Sequence, residues 1–411
     1  MSKSANTDFL VIGGGVIGLR IAIRLKELFP SESVCLIEKE EDFGAHASGR
    51  NSGVLHAGFY YSPDSLKARF TREGNRRLTA YCLERKIPIL QCGKLVVTRN
   101  EEEVRVLEEL YSRGLKNGVE LTMIDDREAE RLEPQARTFQ KAILSPTTSS
   151  VNPKDVVNAY VQEARERGVT LLPGTQYLGR EGKVVRTETG RISFGFLFNA
   201  AGLYADRIAR DFGLSQRYRI LPFKGLYLVG TKPSPALNMH LYPVPDIANP
   251  FLGVHFTRTI DGKVKIGPTA IPAFWRENYT FSQKFHWGEF AEIVGTELGV
   301  FLRNDFGFRS LAMSELPKFS KGHMVRLASG MVKTIDSKNF MTWGKPGIRA
   351  QLFDLVKRKL VMDFCFEQNA ESLHILNAVS PAFTCAIPFA EHVIDQWRMN
   401  PGKTLSSGGS Q

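Results

Sequence analysis

Glycines 13, 15 and 18 stand as GxGxxG in GGGVIG, and Glu38 follows twenty residues after Gly18. That spacing suits dinucleotide binding. Gly13 permits a tight turn, Gly15 lets the backbone approach a pyrophosphate, and Gly18 lets a helix pack close to a strand. Val16 and Ile17 open the helix whose N-terminus faces the anion. Glu38, with Lys39 beside it, stands where a carboxylate meets a ribose hydroxyl. The bland alternative is a solvated strand end. The loop alone does not separate NAD from FAD.

The surrounding elements decide more. Phe9 to Ile12 reads as a buried parallel strand, and Ile17, Ile21, Leu25 and Leu28 recur at helical spacing after it. Val34 to Ile37 is a second short strand ending at Glu38. The stretch GAHASGRNSGVLHAGFYY, Gly44 to Tyr61, then replaces an ordinary next helix with small and polar residues. Ser48, Arg50, Asn51 and Ser52 offer donors there for phosphate or ring heteroatoms. FGFLFNAAGLYAD, Phe194 to Asp206, returns an apolar strand that breaks into Ala200, Ala201 and Gly202. WGKPGIRAQLF brings Gly347 and Ile348 late in the chain. Three separated approaches of bare backbone suit a long, deeply buried ligand.

The same segments carry a resemblance. GGGVIG with Glu38, SGRNSGVLHAGFYYSPDSLKARF, NAAGLYAD, FTRTIDGKVKIGPTAI, KPGIRAQL and NAVSPAFTCAIPF together resemble the D-amino-acid-oxidase-like FAD oxidoreductases, most closely their L-2-hydroxyglutarate dehydrogenase and oxidase branch. The resemblance runs from about Asp8 to about Trp397. It implies FAD as cofactor, with Ser380, Pro381 and the Tyr177 backbone among its contacts. It also implies a discontinuous Rossmann-type α/β domain joined to an α+β substrate domain on a mostly antiparallel sheet. Three positions depart from the pattern: Lys224 and Leu226, in PFKGLY, replace an arginine and an acid, and Tyr177 replaces a valine.

Such an enzyme oxidises a small anionic 2-hydroxy acid, passing hydride to flavin N5 and the hydroxyl proton to a base, with quinone or oxygen as final acceptor. Histidine suits that base at neutral pH, and two of the eight, His56 in SGVLHAG and His255 in LGVHFTRTIDG, lie in segments expected to face the flavin. Strand alternation puts His255, Thr257 and Thr259 on one face, either a roof over the flavin or a solvated sheet surface. Carboxylates call for cations: Arg349 first, then Lys345, Lys224 and Arg258. Tyr60 and Tyr61 are either hydroxyl donors or core aromatics. HxxxH, carboxylates or paired cysteines at ligand spacing, and GxSxG are absent from the sequence, so no metal site and no serine nucleophile are expected.

The expected FAD-binding domain comprises residues 1–87, 145–216 and 336–400, and the substrate domain 88–144 and 217–335. Helices are expected at 65–85, 101–117 and 153–167, with Asp261 and Gly262 as a two-residue hairpin turn. The tail, 401–411, is expected to be disordered. Five cysteines without a framework, and no apolar leader or bilayer-length run, point to a cytoplasmic chain. The net charge of +11 implies an anionic partner: a polycarboxylate or an anionic membrane face touched peripherally. Nucleic acid is not expected, because aromatics do not interleave with the basic residues. Other readings are an amine or amino-acid oxidase of the same fold, a basic flavoprotein on RNA, and a non-catalytic flavin binder.

Overall fold

A computed structural model describes residues 3–231, 236–245, 253–280 and 283–407. Its largest sheet has nine strands, five of them a parallel core in the order Ser372–Asn377, Gly190–Asn199, Lys3–Ile12, Val34–Ile37 and Thr170–Leu172. Strands buried on both faces need continuous apolar runs. Leu10, Val11, Leu36, Leu197 and Phe198 are accordingly inaccessible. The helix Val16–Leu28 packs on one face of this sheet, flanked by the helices Pro153–Glu166 and Ala382–Met399.

Local capping sets the helix bounds. Ser65 caps the helix Leu66–Glu84 by accepting from Ala68 N–H, Asn100 caps Glu101–Lys116, and Asn152 precedes Pro153 at the start of Pro153–Glu166. Each such cap is worth about 1 kcal/mol.

A second, eight-stranded sheet runs in the order Thr342–Trp343, Leu228–Val229, Val264–Gly267, His255–Arg258, His240–Pro243, Lys94–Val97, Lys141–Ser145 and Thr122–Asp125. All its pairings are antiparallel except that of Lys94–Val97 with His240–Pro243. One face buries Leu95, Leu241, Phe256 and Ile266 in a core of its own. The other face, carrying Lys94, Val96 and Tyr242, turns toward Ala57 and Phe59 of the cofactor-side chain. A third, four-stranded sheet is antiparallel throughout, in the order Ile271–Pro272, Tyr218–Gly225, Gly347–Asp354 and Lys359–Leu360.

Several expectations need correction. Residues 342–360 pair with the substrate-side sheets, and the chain re-enters the nine-stranded sheet only at Cys365–Gln368. The expected return at 336 is early because Gly347–Asp354 pairs along its whole length with Tyr218–Gly225. Of the tail expected to be disordered, Leu405–Ser407 forms an edge strand on Cys365–Gln368. Backbone bonding to an open sheet edge requires no apolar side chain. Residues 408–411 lie outside the described residues. The hairpin holds three residues, Ile260, Asp261 and Gly262, because Thr259 N–H bonds the Lys263 carbonyl at 2.9 Å. Gly262 takes φ 75°, the left-handed position of a three-residue turn. Residues 287–329 are largely helical, Trp287–Arg303, Phe308–Glu315 and Lys321–Ser329.

Candidate active site

The strand Lys3–Ile12 ends at Gly13, whose φ is 107° and where an added Cβ would lie 2.5 Å from the Ala200 carbonyl oxygen. Only glycine passes there. Gly15 caps the following helix without a side-chain bond of its own, and no acid occupies the first turn. The positive end of the helix is therefore left for an external anion. Ser48 Oγ accepts from Val16 N–H at 3.0 Å, and Glu38 accepts from Gly14 N–H at 2.7 Å and Glu40 N–H at 3.0 Å. The acid is thus locked beside the glycine loop.

These groups open on one cavity of about 1080 Å³. Ligand pockets ordinarily span about 300–1,000 Å³, so this one suits a dinucleotide. Gly13, Gly15, Val16, Ile17, Glu38 and Lys39 form one stretch of its wall, and Ser48, Arg50, Asn51 and Ser52 a second. Ala200, Ala201 and Gly202 enter from the returning strand, Gly347 and Ile348 from the late one, and Ser380 and Pro381 from the start of the last helix. Gly347 sits so close to the Arg50 carbonyl that any Cβ would collide with it. Gly18 is not in the wall; it touches the Gly13 carbonyl and holds helix against turn. Tyr177 lines the far end, its hydroxyl donating to Asp211 at 2.9 Å.

The loop donors are largely spent on shaping the loop. Arg50 Nε donates to the Ala45 carbonyl at 2.7 Å and its guanidinium stacks 4.4 Å from the Tyr279 ring. Asn51 bonds the Ala47 and Ser48 carbonyls and accepts from Gly53 N–H.

Sequence reasoning missed the rim. Glu277, which is buried, pairs with Lys39 at 2.6 Å and with Lys284 at 3.1 Å, and accepts from the Tyr204 hydroxyl at 2.8 Å. Glu40 pairs with Lys39, Lys284 and His46, and His46 Nδ1 meets Tyr279 Oη at 2.8 Å. Burial works against the Glu40 charge, but the lysine bonds outweigh it and hold the carboxyl down to about 2. Glu40, His46 and Glu277 lie within metal-ligating reach of one another, yet two lysines already satisfy the acids.

The two candidate histidines separate. His56 lines the cavity, with its backbone N–H bonded to Thr384 Oγ1 at 3.2 Å. Burial, helped by the Lys94 charge, lowers its pKa to about 3 and keeps it neutral. His255 does not line the cavity; it is 3% exposed, stacked 3.7 Å from the Tyr242 ring and bonded through Nδ1 to the Gly253 carbonyl at 2.8 Å. Of the expected cations, Arg349 alone lines the cavity. Its Nη1 donates to the Thr269 carbonyl at 3.0 Å, and its charge interacts with Tyr227, another wall residue. Burial lowers the Arg349 pKa.

Lys224 alternates to the opposite strand face from Gly225, against which the Arg349 guanidinium lies. Arg258 donates to the Asn238 carbonyl at 2.8 Å and is outside the wall, as is the exposed Lys345. Tyr60 stacks on Phe59 with ring centroids 4.2 Å apart, and Tyr61 faces Lys67; neither lines the cavity.

A glycine-cradled dinucleotide cavity roofed by an antiparallel sheet defines a flavin-dependent oxidoreductase. The family model described as FAD dependent oxidoreductase (DAO) matches residues 8–332, and the chain belongs to that family. It is 34% identical to the L-2-hydroxyglutarate dehydrogenase of Escherichia coli strain K12, over 98% of this chain and 97% of that protein. Identity to the mitochondrial L-2-hydroxyglutarate dehydrogenase of Homo sapiens is also 34%, over 96% of this chain and 90% of that one. Among solved structures, dithionite reduced L-alpha-glycerophosphate oxidase from Mycoplasma pneumoniae with FAD bound superposes with a TM-score of 0.76 at 22% identity, over 98% and 96% of the two chains. Glycine oxidase from Geobacillus kaustophilus gives 0.70 at 18% identity, over 98% and 97%. These last two establish the shared fold.

Proposed function

We propose that this FAD-dependent oxidoreductase oxidises L-2-hydroxyglutarate, or a closely related 2-hydroxy acid, to the 2-oxo acid. The observation that carries the reading is a neutral imidazole, His56, and a buried guanidinium, Arg349, opening on the same cavity as the glycine cradle. When bound, the flavin supplies a two-electron acceptor for the hydride at the substrate's α-carbon. Gly13, Gly15, Glu38 and Gly347 are the residues that would hold it.

Arg349 presents a planar fork matched to a carboxylate and fixes the face that the α-carbon offers. His56, uncharged, takes the hydroxyl proton. An anion beside it would raise its proton affinity, bringing it nearer the working pH. The nine-stranded sheet would hold the cofactor, and the eight- and four-stranded sheets would shape the substrate end.

The test is anaerobic titration of the purified yellow protein. L-2-hydroxyglutarate should bleach the flavin absorbance, and failure to bleach with any 2-hydroxy acid removes the substrate claim. Bleaching by glycine, sarcosine or proline instead would make the chain an amine or amino-acid oxidase.

For the electron acceptor we favour a quinone reached at an anionic membrane face, with oxygen as the other outcome. No helix among the described residues is long and apolar enough to cross a membrane. The helices beyond Trp287, however, expose Leu298, Leu302, Met313, Leu316 and Phe319, with Arg303, Arg309 and Lys321 on the same excursion. Apolar and cationic side chains together suit an interfacial contact. Liposome flotation with and without acidic lipid decides, and absence of binding at low salt ends this part of the reading.

A further inference from the structure

Lys94 is fully inaccessible, and its Nζ has no hydrogen-bond partner among the described residues. It stands on the inward face of the eight-stranded sheet, paired in register with His240 on one side and with Ser145 on the other. Three rings enclose the ammonium: Phe59, Tyr60 and Tyr242, at 4.4, 4.7 and 4.8 Å from their centroids. The Tyr60 hydroxyl beside it is likewise buried without a partner. Ring faces attract a cation but accept none of its three N–H bonds, and a buried charge without a counter-charge is expensive. Buried Arg276, by contrast, holds Asp206 with bonds of 2.7 and 3.0 Å.

The position gives the cost a use. The Lys94 charge acts on His56, which lines the cavity, and on His240 and His255 behind it. The enclosing Tyr242 in turn interacts with Tyr227, and Tyr227 with Arg349. Lys94 itself lies outside the cavity wall, and its charge acts on the wall residue His56, while Tyr242, one of its rings, interacts with the wall residue Tyr227. A 2-hydroxy dicarboxylate carries two charges, and Arg349 answers one of them.

We propose that Lys94 is a specificity-determining counter-charge for the substrate's second carboxylate, acting through the aromatic wall to favour a dianion over a monoanion at the His56 end of the cavity. It is a positioning residue, acting by its field. The inference rests on the dicarboxylate reading above.

The test uses the FAD-loaded protein and two acids that lack the reacting hydroxyl, glutarate and pentanoate, with binding read from the perturbed flavin absorbance. Wild type should bind glutarate at least roughly tenfold more tightly than pentanoate, and Lys94→Met should bring the ratio near unity. A second arm needs no variant. Burial lowers the Lys94 pKa to about 7, so glutarate affinity should fall as pH rises above neutrality while pentanoate affinity changes far less.

The groups facing Lys94 do not titrate in that range. His56 and His240 are held at about 3 and His255 well below its ordinary value, Tyr60 and Tyr242 are raised, and Ser145 is uncharged. Arg258 meets His240 through its backbone N–H, which donates to His240 Nδ1 at 3.1 Å. A wild-type preference that survives Lys94→Met, or a flat glutarate profile across neutral pH, overturns the role of Lys94. A wild type that does not prefer glutarate overturns the dicarboxylate reading together with it.

Discussion

Two charged regions act on the same cavity, one lining it and one outside its wall, and they are built by opposite rules. At the rim, Lys39, Lys284, Glu40, Glu277 and His46 pair with one another so completely that each buried charge has an opposite neighbour. At the substrate end, Lys94 has rings for neighbours, and the histidines around it are neutral because burial and its charge hold them so. A paired network holds two chain segments together. An unpaired one retains electrostatic energy for a ligand to release.

The comparison is broken most severely at the substrate end. His56→Gln keeps the shape of a wall residue but removes the proton acceptor, and flavin reduction by L-2-hydroxyglutarate should slow about 10²–10⁴-fold in stopped-flow absorbance. Flavin content should stay near one per chain, because the cradle is untouched. Arg349→Met should follow. Losing a charged fork from a buried site costs about 2–5 kcal/mol, chiefly as a raised KM for the hydroxy acid in steady-state assays. A Lys at the same position should recover only part of this, lacking the planar pair of donors.

At the rim the expected loss is smaller and of another kind. Glu277→Gln leaves Lys39 and Lys284 with a neutral partner, which should lower stability by about 1.5–3 kcal/mol, measured as a drop in Tm. The reduction rate should fall far less than in His56→Gln. Equal rate losses at the two ends would erase the distinction between holding and reacting regions.

How much of this was legible in the sequence depends on the distance over which each part is assembled. The glycine cradle, Glu38 and the three small-residue approaches were legible because close backbone approach leaves a local mark, a glycine or alanine at a strand end. The helix caps Ser65, Asn100 and Asn152 are equally local. The rim was not, since His46 meets Tyr279 across 233 positions and Lys284 meets Glu40 across 244. Lys94 reads in GKLVVT as an ordinary strand lysine; only the register with His240 and the fold of Phe59 and Tyr60 over it show that it is caged. Alternation correctly put His255 on a polar face but could not say that Tyr242 would cover it. Arg258 and Lys224 failed as cavity cations for the same reason: a strand pattern gives the face of a side chain, and the partner sheet decides what that face meets.

The smallest effect separates the two regions by pH. His56 in the folded protein protonates at about 3, against 6.5 ordinarily, so between those values the unfolded chain binds the extra proton. Its share of stability is therefore lost as pH falls from 6.5 toward 3, and His56→Gln should flatten that part of the curve. Glu40 is shifted downward too, from 4.5 to about 2, but it is a carboxyl held charged by lysines. Its contribution is complete above 4.5 and disappears as pH falls through 2. Glu40→Gln should change this lower window modestly, because water screens the partly exposed rim, and above it should act only through His46, which Glu40 bonds at 3.0 Å. Urea unfolding between pH 7 and 3 distinguishes them: a slope altered above pH 5 by Glu40→Gln in a His46→Gln background, where the rim histidine is gone, would show that the rim charges are coupled to the histidine wall rather than closed upon themselves.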